Sequence, residues 1–187
     1  MSAVTIESRL FELESREAIR QLVAKYCFVI DNRDIEGIAA LMAPDARFRS
    51  KDGVMNATGR DAIIKQFDGR FSILGMTNHF THDHLIELES PDRAHGTVNS
   101  HAELIVRGRP MWVSLRYDDT YVREAGRWYF GERLLTFNYY LDVEEYPKYL
   151  GERLRMRAYK EPQAADWPEG TDSWKAYAEA IKAKGGA

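Results

Sequence analysis

Residues 78–140 read NHFTHDHLIELESPDRAHGTVNSHAELIVRGRPMWVSLRYDDTYVREAGRWYFGERLLTFNYY, and apolar and polar residues alternate through most of them. A period of two puts successive side chains on opposite faces, which predicts strands. Four segments carry the pattern: 78–89, 94–106, 111–123 and 127–140. The links between them, Pro91-Asp92, Arg107-Gly108-Arg109-Pro110 and Glu124-Ala125-Gly126, are short and made of turn residues. Long sequential strands on short links predict an antiparallel meander.

Upstream the period is helical. Ile19, Leu22, Val23, Tyr26 and Ile30 form one stripe and predict a helix over 5–31, capped at its start by Thr5 or Ser8. Asp34 reads as the N-cap of a short helix over 35–42, closed by Pro44-Asp45. A short strand over 46–49 and a turn at Asp52-Gly53 follow. Gly59-Arg60-Asp61 then opens a third helix that can turn Ile63, Ile64, Phe67 and Phe71 to a core. Helices first and strands second is an α+β layout, and a curved sheet wrapped on helices leaves a pocket between them. Residues 1–143 are expected to form this domain. Residues 144–187, aromatic and punctuated by proline, read as an extension packed on its own domain or on a neighbouring subunit. Asp172 or Ser173 would cap its last helix, and Gly185-Gly186 would end it.

The chain has 187 residues, 44% hydrophobic and 29% charged, which fits one domain with an extension. A net charge of -3 offers no basic footprint for nucleic acid. Cys27 is the single cysteine, so an internal disulfide is impossible and a thiolate zinc site is not expected. No apolar run is long enough for a bilayer, so no membrane is expected as a partner. The charged start MSAVTIESRLFELE does not read as a secretion signal, and the cytoplasm is the expected compartment.

Four of the five histidines, His79, His82, His84 and His95, fall within residues 76–96. Such a cluster is a candidate acid/base or metal site. Strand parity divides it, with His82 and His84 on one face and His79 on the other. Nothing else in the chain shows ligand spacing, so no metal is expected. Phe80, Ile86 and Leu88 share the apolar parity, so His79 reaches a pocket only if a bulge follows it, near residues 81–83. His84 and His95 read as bystanders, and His101 as an outer-face residue. Asp31 ends the first helix, after Phe28-Val29-Ile30. The helix dipole disfavours a carboxylate there, and apolar surroundings raise its pKa unless it is paired. Arg133, on the last strand, could neutralise an anionic ligand or leaving group.

An ordered set of short motifs runs through residues 14–140. It comprises Tyr26 followed by Asp31, Pro44-Asp45-Ala46, Gly59-Arg60-Asp61-Ala62-Ile63, Asn78-His79-Phe80, Ala94 with Gly96, Tyr117 with Asp119 and Tyr121, and Gly126 with Trp128. With these the chain resembles the SnoaL-like branch of the NTF2-like superfamily. Within that branch it is similar to the subgroup of scytalone dehydratase, lindane dehydrochlorinase and the bile-acid dehydratases. The resemblance implies a cone-shaped fold, with a curved, mainly antiparallel sheet wrapped on three N-terminal helices. It also implies a dyad of Asp31 with His79, and a nearby Tyr26.

The implied function is that of a cofactor-independent lyase or isomerase acting on a small hydrophobic, cyclic or aromatic molecule. His79 would be the general base, Asp31 would orient it, and Tyr26 would hydrogen-bond a carbonyl or leaving group. Phe48, Phe67, Trp112 and Phe137 are expected to supply aromatic walls. Ala102 stands where the subgroup commonly carries a second acid or histidine, and His82 is the expected substitute. A homo-oligomer, dimer or trimer, is expected. The same fold also serves polyketide-cyclase-like enzymes and non-catalytic modules such as the small subunit of ring-hydroxylating oxygenases.

Overall fold

The computed structural model describes residues 5–184; residues 1–4 and the expected Gly185-Gly186 stop lie outside them. Helix α1 (Ile6–Asp31) starts in a capping box in which Thr5 and Ser8 each accept the other's backbone N–H, both at 3.1 Å. Its stripe of Ile19, Leu22, Val23, Tyr26 and Ile30 is buried. Helix α2 (Ile35–Leu41) is capped by Asp34, whose Oδ1 accepts the Gly37 N–H at 2.8 Å. Helix α3 (Arg60–Phe71) turns Ile63 and Phe67 into the same core.

Six strands follow or interleave: β1 (Met42–Ser50), β2 (Asn56–Thr58), β3 (Leu74–Ser90), β4 (Arg93–Val106), β5 (Arg109–Glu124) and β6 (Arg127–Asp142). They form one curved sheet in the order β2-β1-β6-β5-β4-β3. The pairs β3–β4, β4–β5 and β5–β6 are antiparallel, as the alternation predicts, and β1 joins β6 in parallel. Two boundaries differ from the sequence reading. Pro44 does not close a helix but lies inside β1, at the irregularity between Met42 and Arg47, where the ladder needs no N–H from it. Strand β2, at three residues, is too short for its alternation to be read.

The expected bulge is present in β3. Thr81 pairs with Ser100 and His84 with Val98, so three steps on β3 match two on β4. One extra residue reverses parity. Before the bulge Thr77 and His79 share the face of Ala102 and Leu104. After it His84 and Ile86 share the face of Val98.

Beyond Ser50, β1 parts from β6, and the chain after residue 142 takes up the exposed edge. The Phe137 N–H donates to Asp166 Oδ2 and the Asp166 N–H to the Phe137 carbonyl, both at 2.8 Å. Met156 bridges Tyr140 and Gln163. Arg155 is buried, gripping Glu169 through two nitrogens at 2.8 and 2.7 Å and the Asn138 carbonyl at 2.7 Å. Covering an open edge in this way satisfies its backbone groups. The extension also holds α4 (Tyr146–Tyr149) and α5 (Asp172–Ala183), and the α5 cap is Thr171 rather than Asp172 or Ser173.

Among the described residues, one ion pair has both side chains fully buried. Arg133 and Asp119 are cross-strand partners, 0% and 2% exposed. Nε and Nη2 donate to the two carboxylate oxygens at 2.9 and 2.7 Å. The rings of Tyr26, Tyr117 and Phe130 lie 4.2, 4.0 and 4.2 Å from the guanidinium carbon. Removing one partner strands a charge in apolar surroundings. Asp119→Ala is therefore expected to cost about 3–5 kcal/mol in urea unfolding. A loss below about 1 kcal/mol, the range of exposed pairs, would contradict this reading.

Candidate active site

The site grows from the end of α1. A carboxylate there is disfavoured by about 0.3–1 kcal/mol through the helix dipole. Asp31 is compensated by more than that, because hydrogen bonds to a charged group contribute roughly 1.5–3 kcal/mol each. The His79 backbone N–H donates to Oδ2 at 2.8 Å, and the Thr77 hydroxyl donates to Oδ1 at 2.8 Å. His79 Nδ1 stands 2.6 Å from Oδ1. Burial pushes the Asp31 pKa up. The bonds from the His79 side chain and backbone, its charge and Thr77 outweigh this and leave the pKa below the ordinary value. The sequence expectation of a raised pKa applied to an unpaired carboxylate, and this one is paired.

An ionised Asp31 makes Nδ1 the protonated nitrogen of a neutral His79, which leaves the Nε2 lone pair free. Nε2 has no protein partner among the described residues, and His79 lines an apolar cavity of about 70 Å³. Behind the pair stands Arg33, in the turn after α1 with φ 57°. Its Nη1 donates to Thr77 Oγ1 at 3.0 Å and to the Ile30 carbonyl at 3.1 Å, its Nη2 donates to the Gly75 carbonyl at 2.5 Å, and its guanidinium lies over Phe71. Arg33 and Thr77 escaped the sequence reading, since neither stands out from other turn arginines or strand threonines.

The expected residues divide. Tyr26, Phe48, Phe67, Ala102 and Phe137 line the same cavity as His79. Burial, with Tyr117 adding and Arg133 opposing, holds the Tyr26 pKa well above its ordinary value, so its phenol stays protonated. Three residues fall elsewhere. Trp112 points to the outer face, 39% exposed and edge-on to Tyr146, because Met111, Val113 and Leu115 take the inward parity. His82 sits in the bulge on the outer face, its Nε2 2.5 Å from His101 Nδ1, and is no substitute for a second inward base. Arg133 is taken up by Asp119 and does not line the cavity.

His84, read as a bystander, faces inward. Its Nε2 lies 3.1 Å from the Tyr121 hydroxyl, which donates to Asp119 Oδ2 at 2.9 Å. A β-carbon at Gly96 would stand 2.5 Å from the Leu85 carbonyl and 3.2 Å from His84 Nε2, so only glycine lets β4 pass here. Among the described residues no three His, Cys, Asp or Glu side chains are grouped to hold a metal, and no helix is long and apolar enough to cross a membrane.

Residues 12–134 match the model of the SnoaL-like domain. The chain belongs to the SnoaL-like family. Among solved structures, a protein from Novosphingobium aromaticivorans assigned as a scytalone dehydratase is 25% identical. That match has a TM-score of 0.66 and covers 71% of this chain and 89% of the other. A hexachlorocyclohexane dehydrochlorinase, LinA-type3 from Novosphingobium barchaimii, is 20% identical with a TM-score of 0.68, covering 73% and 94%. No curated protein matches the sequence. The SnoaL-like match ends within β6, so the edge-covering extension lies beyond it.

The inward His84 gives this SnoaL-like chain a measurable acid sensitivity. Burial first, then Arg133 and Arg20, lower its pKa from 6.5 to about 4. Between those values the unfolded chain binds a proton that the folded chain refuses. His84's contribution is thus complete above pH 6.5 and is lost progressively as pH falls towards 4. His101, lowered by burial and His82, leans the same way. Urea unfolding of wild type should weaken across this window, and His84→Gln should flatten the slope without removing it. Parallel slopes in the two proteins would exclude His84 as the cause.

Proposed function

We propose that the chain is a cofactor-independent lyase or isomerase of the dehydratase type, acting on a small apolar, cyclic molecule through His79 and Asp31. The observation that carries this reading is the 2.6 Å contact between His79 Nδ1 and Asp31 Oδ1, with the rest of the imidazole facing an apolar cavity. The family match and the dehydratase and dehydrochlorinase neighbours support the reaction class.

In this reading Nε2 removes a proton from a carbon made acidic by an adjacent carbonyl or placed beside a carbon bearing the leaving group. The C–H electron pair becomes the new C=C bond, and the bond to the leaving group breaks. For a halide, the ion departs with the electron pair of the carbon–halogen bond. For water, the proton held by His79 passes to the departing hydroxyl. For isomerisation, it returns to a different carbon. Asp31 stabilises the imidazolium while it exists. Tyr26, kept protonated by burial, donates to the carbonyl or leaving-group oxygen.

Exchange of the α-protons of 2-tetralone in deuterated buffer, followed by NMR, tests the proton-transfer step without knowledge of the true substrate. His79→Ala and Asp31→Asn should each slow exchange by about 10²–10⁴-fold, the usual size of a positioned acid/base contribution. The variants should keep the far-ultraviolet circular dichroism of wild type. If His79→Ala exchanges protons as fast as wild type, the base is elsewhere and the non-catalytic reading of the fold gains.

A further inference from the structure

A second, wider cavity of about 360 Å³ adjoins the first. Arg70, in the last turn of α3, and Tyr140, on β6, line both. Burial raises the Tyr140 pKa while Arg70, through its charge and a side-chain hydrogen bond, pulls it back. Arg70 and Tyr140 are thus the partition between an inner apolar chamber and an outer one. The outer wall takes Arg107 from the β4–β5 turn, Arg109 from the start of β5, and Tyr159 and Lys160 from the C-terminal extension.

The charge of this outer chamber is one-sided. Arg70, Arg107, Arg109 and Lys160 line it, and no carboxylate does, although the whole chain carries -3. Arg109 is neutralised by Asp142 at 3.0 Å. Among the described residues, the other three have no carboxylate within the 4.0 Å of an ion pair. The nearby Asp52 is engaged by the hydroxyls of Ser50 and Tyr159 and by the Val54 N–H. A chamber lined by cations and by no carboxylate favours an oxyanion, which would satisfy guanidinium donors.

The inner chamber, at about 70 Å³, is smaller than the roughly 300–1,000 Å³ usual for small-molecule sites. A cyclic molecule seated against His79 would therefore extend past Arg70 and Tyr140, which line both chambers. We propose that the outer chamber binds an oxyanion, carboxylate or phosphate, carried by the molecule whose apolar body occupies the inner chamber. The proposal rests on the reading of the inner chamber as the substrate site and adds the substrate's chemical class: an amphipathic anion.

The test is calorimetric titration of the full chain with 2-naphthoate, 2-naphthyl phosphate, the neutral 2-naphthalenemethanol and inorganic phosphate. At least one naphthyl anion should bind about tenfold or more tightly than the alcohol, and salt should weaken only the anions. Whichever headgroup binds more tightly identifies the oxyanion. The double variant Arg107→Gln, Lys160→Gln should lose the preference while keeping the affinity for the alcohol. His79→Ala should keep the preference even where proton exchange is lost, which separates failure of this proposal from failure of the dyad. Equal binding of acid and alcohol by wild type overturns the proposal, as does a preference that survives in the double variant. Inorganic phosphate binding as tightly as the naphthyl anions overturns the joint occupancy of the two chambers.

Discussion

One extra residue between Thr81 and His84 lets a single strand serve two purposes. A regular β3 would have to choose between turning Thr77 and His79 inward and turning His84 and Ile86 inward, because side chains alternate strictly. The first choice would bring a base to Asp31 and expose the apolar end of the strand. The second would complete the core and push His79 into solvent. With the bulge, Thr77 and His79 reach the end of α1, and seven residues after His79, Ile86 is 6% exposed in the core. The bulged residues His82 and Asp83 fall on the outer side, where Asp83 accepts from the Asn99 amide at 3.3 Å. A bulge beside a functional site re-aims a side chain, and here it re-aims the imidazole.

The interior electrostatics follow from the same register. Pairing of β5 with β6 puts Asp119 opposite Arg133, and pairing of β4 with β5 puts Gly96 opposite Asp119. The absent β-carbon at Gly96 makes room for His84 beside Tyr121, whose hydroxyl donates a hydrogen bond to Asp119. A buried guanidinium thus draws a carboxylate, a phenol and a neutral imidazole into one array. Desolvation makes such a pair a poor source of net stability, while its loss on one side is costly. The pair is made only in this register of β5 and β6, and that register determines which residues face the cavity.

The sequence made the frame legible because alternation and helical stripes are local: the α1 stripe, the four long strands and even the need for a bulge follow from parity. The site was legible only in part. Physical reading left Asp31 as a carboxylate at an unfavourable helix end, and its pairing with His79 came from the family resemblance. Thr77 and Arg33 carry no local signal, since one is a strand threonine and the other a turn residue whose φ of 57° depends on the whole corner. The expectation for Arg133 failed because its partner is known only once β5 and β6 are in register. Trp112 was an avoidable miss, because its parity already placed it opposite Val113. His84 shares the parity of Ile86 and Leu88, and its contact with Tyr121 shows only once β4 and β5 are in register.

The link from Arg33 through Thr77 to Asp31 has a consequence for any base at His79. A guanidinium bonded directly to Asp31 would hold the carboxylate in place but cancel much of its field at the imidazole. Here the arginine reaches Thr77 Oγ1 at 3.0 Å, and Thr77 in turn donates to Asp31 Oδ1 at 2.8 Å. The hydroxyl is neutral, so orientation passes along the chain while the cationic charge stays one group further away. Coulomb energy falls with distance and with intervening polarisable groups, whereas a hydrogen bond's angular constraint does not need a charge to act. Asp31 is therefore held on both oxygens by neutral backbone and hydroxyl donors, with no guanidinium bonded to it directly. In the proposed reaction the Asp31 charge is what an imidazolium formed at His79 would meet.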